Sequence, residues 1–180
     1  MDTTHNTPIL KAVQPTDSQD AVQLIIRMAW EQGLKNILCA GSTDSFPADS
    51  AIAGINTFDL PEETHRQFNR YCFERSIPVL YPFDMGWGAV VAVATAHSLS
   101  LNDAVNIKTG SYNDDIRAYI ARYVSFWSRE TPESLQQRNS PEYSSTLMLQ
   151  MSVQMLLNLA AEKTVKPFPH LYYTLCNPME

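Results

Sequence analysis

Residues 51–80, AIAGINTFDLPEETHRQFNRYCFERSIPVL, decide the fold. They divide into a strand, an acidic corner, a helix and a second strand. Ile52 to Phe58 is apolar on both faces, as a strand covered on each side by helices must be. Asp59 is placed to cap the helix that follows, with Glu62 three residues on as in a capping box. Pro61 lies in the first turn, where its missing N–H costs nothing. Phe68, Tyr71, Cys72 and Arg75 fall on one helical stripe, with the Arg75 stem laid along it. Ile77 to Leu80 returns as a short buried strand. Two strands joined by one helix lie parallel, through a right-handed crossover. Ligands of such sheets sit outside the carboxyl ends of the strands, and Asp59 stands at that edge.

Upstream, residues 1–16 read as a loose lead-in, and residues 17–180 as a single α/β domain. Asp17 or Ser18 caps a helix that runs to about Gln32, with Val22, Ile25, Ile26, Ala29 and Trp30 on its sheet-facing stripe. Gly33 is a natural left-handed stop. Asn36 to Ala40 is a short buried strand, and residues 41–50, GSTDSFPADS, form a loop rich in turn formers. Downstream, Tyr81 to Gly88 reads as a loop and Ala89 to Ala94 as a central strand. Ser100 caps a short helix. Asp114 to Trp127 is a helix with Ile116, Tyr119, Ile120, Tyr123, Val124 and Trp127 on one side. Residues 130–142 read as a surface excursion. Ser144 to Lys163 is the longest helix and is apolar around most of its circumference. Such a helix is either buried within a domain or shared with a partner, and its methionines would make an adaptable interface. Val165 to Leu175, with two prolines, ends the chain as an edge strand. The fold class that results is α/β, a Rossmann-like, mostly parallel sheet with helices on both faces.

At 180 residues and 44% hydrophobic content, one domain with a real core is expected. A net charge of −6 argues against nucleic acid or an anionic membrane as partner. No apolar run is long enough to cross a bilayer. The polar, acidic N-terminus does not read as a signal peptide, so a cytoplasmic location is expected. Cys39, Cys72 and Cys176 are far apart, which fits buried free thiols in a reducing compartment.

Several residues are candidates for chemistry. Gly41, Ser42 and Thr43 follow a strand and approach a phosphate-binding signal, but neither G-x-G-x-x-G nor G-x-x-x-x-G-K occurs in the chain. An ordinary connection is the simpler reading. Gly86 and Gly88 flank Trp87 and either let the backbone approach a ligand or turn the chain around that side chain. Asp44 with Asp49, and Asp114 with Asp115, are paired carboxylates that could hold magnesium or serve acid–base chemistry. At a helix start the simpler role is to partner the dipole. His5, His65, His97 and His170 show no ligand spacing. His65 is the one worth testing, against the plainer reading of a solvated or capping histidine.

Three blocks resemble the second half of the ThiF/MoeB/HesA superfamily, the adenylate-forming enzymes that activate ubiquitin-like proteins. INTFDLPEETHRQFNRYC resembles a strand ending in an aspartate followed by a helix carrying Asn–x–x–Cys, here Asp59, Asn69 and Cys72. SIPVLYPFDMGWGAVVAVAT resembles the family's strand, loop, glycine and strand. SPEYSSTLMLQMSVQMLLNLAAEKTVKPFPHLYYTL resembles its late helix and closing strand. The resemblance implies a parallel Rossmann-like sheet, a dimer, ATP with magnesium, and the C-terminal glycine of a small β-grasp protein as substrate. It puts Asp59 where the family's magnesium- and ATP-facing aspartate stands, as candidate catalytic residue and metal ligand. Gly41, Ser42, Thr43, Gly86 and Gly88 become candidate cofactor contacts. The departures are a missing glycine fingerprint, no acidic residue for the ribose, no arginine-bearing helix for the triphosphate, no paired CxxC zinc motif and no thioester cysteine. The expectation is a ThiF-like protein without a complete ATP site. It would bind no cofactor as an isolated chain and act as a binding or regulatory subunit, dimeric through residues 144–163, with a β-grasp protein as possible partner. The alternative is an active adenylyltransferase that uses ATP and magnesium with the missing half supplied by another chain.

Overall fold

The computed structural model describes residues 18–41, 51–99, 101 and 111–177. The crossover forms as a parallel unit. β2 (Ala53–Ile55) passes through α2 (Glu62–Glu74) into β3 (Val79–Asp84), with Gly54 opposite Val79 and Ile55 opposite Leu80. β1 (Ile37–Cys39), after α1 (Ser18–Glu31), pairs parallel to β2 on its other side. β4 (Gly88–Ala94) turns back antiparallel to β3, and β5 (Tyr172–Leu175) runs antiparallel to β4. The strand order is β1-β2-β3-β4-β5, so β4 alone runs against the other described strands. Between β4 and β5 lie α3 (Tyr112–Ser128), α4 (Pro132–Gln137) and α5 (Pro141–Ala160).

Side chains alternate across the sheet, and each face is covered. Val79, Tyr81, Phe83, Val90 and Ala92 join Cys72 of α2, Ile116, Ile120 and Val124 of α3 and Leu135 of α4 in one cluster. Ile37, Ile55, Leu80, Val91 and Val93 join Val22, Ile25 and Ile26 of α1 and Met148, Val153 and Leu156 of α5 in the other. β4 is buried along its whole length. The circumference of α5 is apolar because the helix packs on β3, β4 and α1 together, while Thr146, Gln150 and Gln154 face outward.

Several boundaries differ from the sequence reading. Paired β2 is shorter than 52–58, although the Asn56 N–H still donates to the Leu80 carbonyl at 3.0 Å. The stretch from Tyr81 is not a loop, because β3 continues to Asp84 with Pro82 opposite Val91. Pro82 is tolerated because β2 pairs only as far as Leu80, leaving that side of β3 without a ladder to serve. Residues 130–142 are not a plain excursion. Pro132 and Pro141 each sit in a first helical turn, where they start α4 and α5. The aromatic stripe of α3 is core only in part, since Trp127 is 62% exposed. The closing segment does end as an edge strand. Asp17 and Ser100 lie outside the described residues.

Candidate functional site

The corner after β2 is fixed by buried amides. The Asn56 side-chain amide donates to the His65 carbonyl at 3.1 Å and to Asn69 Oδ1 at 3.0 Å, and its own oxygen accepts from the Thr57 N–H at 2.8 Å. His65 is 3% exposed, so it is neither solvated nor a cap. Its Nδ1 lies 3.0 Å from the Thr57 carbonyl, which can only accept, so that nitrogen carries the proton. Phe58 packs on the His65 ring at 4.5 Å and on Tyr81 at 5.4 Å. Burial pushes the Tyr81 phenol above its ordinary range, against a hydrogen bond with Asn69 that lowers it. The network therefore uses Asn69 and His65 to hold the loop.

Asp59 emerges from this corner exposed. The N-cap position of α2 is Pro61, which offers no side-chain cap, and Glu62 and Glu63 occupy the first turn. One strand over, Asp84 ends β3. Its Oδ1 accepts from the Gly86 N–H at 3.0 Å and from the Ser144 hydroxyl. Ser144 Oγ also lies 2.8 Å from the Gly88 carbonyl oxygen, so its one proton is shared between that carbonyl and Asp84 Oδ1, tying α5 to the β3–β4 turn. From α3, Arg117 donates through Nη1 to the Asp84 carbonyl at 2.8 Å and through Nε to Asn113 Oδ1 at 3.2 Å. Asp59, Asp84, Asn113 and Arg117 border a cavity of about 290 Å³, walled by Leu24, Pro82, Phe83, Met148 and Leu149 among others. It opens at the carboxyl ends of β2 and β3, the edge where an α/β sheet binds ligands. Sequence reasoning placed Asp59 there and missed the rest. Asp84 was hidden in a supposed loop; the i, i+4 spacing of Asn113 and Arg117 was the one available signal for their pairing.

The other candidates fall elsewhere. Gly86 has φ +81 and a Cβ there would stand 2.6 Å from Asn139 Oδ1; on Gly88 it would stand 2.6 Å from the Thr174 carbonyl. Both glycines face protein. Gly41 takes φ +86 at the end of β1, and Ser42, Thr43, Asp44, Asp49 and His5 lie outside the described residues. Asp114 and Asp115 occupy the first turn of α3 behind the Ser111 cap, the place for dipole partners. Cys72 is buried under Gly54, and burial pushes its thiol up to about 12, so it is no nucleophile near neutrality. Among the described residues no group of three His, Cys, Asp or Glu could hold a metal. Magnesium is held by one or two carboxylates plus substrate phosphates. Here Asp84 Oδ1 already accepts two hydrogen bonds and the Arg117 guanidinium shares the cavity with Asp59. No described helix is long and apolar enough to cross a membrane.

The topology defines an α/β protein with a Rossmann-like mixed sheet. No protein-family profile matches the chain, and no curated protein matches it. Among solved structures, a heterocyclase in complex with substrate and cofactor is similar over 91% of this chain and 26% of its own, at 11% identity and a TM-score of 0.34. The chain thus spans about a quarter of that protein's length.

Proposed function

We propose that this chain is a ThiF-like scaffold that acts as a binding or regulatory subunit and does not adenylate a substrate. The observation that carries this reading is the make-up of the carboxyl edge: Asp59 stands beside a cavity of only about 290 Å³, shared with Arg117 and Asp84. That volume is at the lower limit of small-ligand sites, and a nucleoside triphosphate is much larger than it. The lack of a glycine fingerprint and the packing role of Gly86 and Gly88 support the same reading.

Thermal unfolding with ATP, with and without magnesium, tests it. A bound ligand at ~100 times its dissociation constant adds about 2.7 kcal/mol of stability. The proposal expects no shift. A magnesium-dependent shift that Asp59→Asn abolishes would instead favour the alternative, an adenylyltransferase with its remaining half from another chain. A homodimer through residues 144–163 and a small β-grasp partner belong to the same proposal. Light scattering on the isolated chain decides the first, since a strictly monomeric mass would leave α5 as core alone.

A further inference from the structure

The edge cavity presents two groups of opposite charge, each held by one side and open on the other. Arg117 is fixed through Nε and Nη1, which bond Asn113 and the Asp84 carbonyl, with Met85 Sδ 3.6 Å from Nη1. Its Nη2 donates to no described residue. Asp84 is fixed through Oδ1 by Gly86 and Ser144, while Oδ2 accepts from no described residue. Neither atom is sealed from solvent without a partner, as Trp30 Nε1 is. The Asn113 oxygen faces Arg117, which turns its amide nitrogen away from the guanidinium. Opposite these groups lie Leu24, Met148 and Leu149, with no charge among them.

We infer that the cavity binds a free α-amino acid with a medium-sized apolar side chain. It rests on the reading of this edge as the binding site of a non-adenylating protein. The carboxylate is taken by Arg117 Nη2, the ammonium by Asp84, and the side chain by Leu24, Met148 and Leu149. A simple anion would face the Asp59 and Asp84 carboxylates, and a simple cation would face the guanidinium; a zwitterion satisfies both signs at once. Charge-assisted bonds of this kind are about twice as strong as neutral ones. At about 290 Å³ the space has room for a free amino acid of leucine's size and none for a nucleotide. A peptide end carries only one of the two charges next to its side chain and is a weaker match.

Calorimetric titration of the full chain with L-leucine is the test, beside leucinamide, which lacks the carboxylate, and 4-methylpentanoate, which lacks the ammonium. Saturable leucine binding is expected, with both analogues at least tenfold weaker and glycine weaker still. Arg117→Gln should weaken leucine at least tenfold. Because Arg117 also ties α3 to β3, Leu149→Trp provides a second variant that fills the apolar wall and leaves the charges alone; it should abolish binding with the circular dichroism unchanged. No heat with leucine at millimolar concentration, or equal binding of either analogue, would overturn the inference. The ATP titration is scored separately. A magnesium-ATP shift together with leucine binding would overturn the non-catalytic reading and leave the amino-acid site standing.

Discussion

A Cβ on Gly88 would lie 2.6 Å from the Thr174 carbonyl and 3.1 Å from Leu175 Cα, and neither backbone atom can retreat without opening the β4–β5 seam. Gly88→Ala is therefore expected to cost about 1–3 kcal/mol, the range for overpacking, in a urea denaturation experiment. Gly86→Ala carries a different penalty. The residue sits at φ +81, so a double variant with Asn139→Ala relieves the 2.6 Å contact but keeps about 1–2 kcal/mol of left-handed strain. Asn56 links β2 to α2 through the His65 carbonyl and Asn69, and Asn56→Ala should cost about 1–3 kcal/mol because buried partners lose their bonds. Cys72 supplies a pH dependence. An unfolded thiol ionises near 9.0 and the folded one near 12, so in that window the unfolded chain releases a proton that the folded chain keeps. Stability from this group is intact below the window and falls as pH rises through it. Cys72→Ala should make the alkaline limb of a stability–pH profile shallower.

Two elements depend on short polar devices. Ser144 hydroxyl joins α5 to Asp84 and to the Gly88 carbonyl, so Ser144→Ala should lower stability by about 1–3 kcal/mol without changing the denaturant slope. It should also loosen the β3–β4 turn, seen as faster amide exchange at Gly86. α4 begins with a reciprocal capping box between Thr131 and Ser134, and α5 begins with a proline in its first turn. The Thr131–Ser134 signature was present in the sequence but stood in a region whose charge and prolines read as surface. At this scale the crossover, α1 and the central strand were legible because each has a strong period or a continuous apolar run. The extent of β3 was not, since Pro82 is a strand breaker unless the neighbouring strand has already ended.

For the whole molecule, helices cover both faces of the sheet and leave the carboxyl ends of β2 and β3 open between α1, α3 and α5. That opening gathers residues far apart in the chain: Leu24, Asp59, Asp84, Arg117 and Leu149. Phe126 and Trp127 form an exposed T-shaped pair at the end of α3, with ring centroids 5.2 Å apart. α3 packs on one face of the sheet and α5 on the other, so a dimer through α5 should leave Trp127 fluorescence unchanged on dilution.

Local sequence by itself determined α1, the crossover and its parallel sense, the central strand and the long late helix. Apolar periodicity, glycine stops and the obligatory geometry of a strand–helix–strand connection act over a few residues and need no distant partner. Tertiary structure alone decided the site. Which carboxylates meet Arg117, why His65 and Asn69 are structural, and why Gly86 and Gly88 have no room for side chains all depend on contacts between residues many positions apart. No local pattern encodes those contacts; packing of the helices on the sheet creates them.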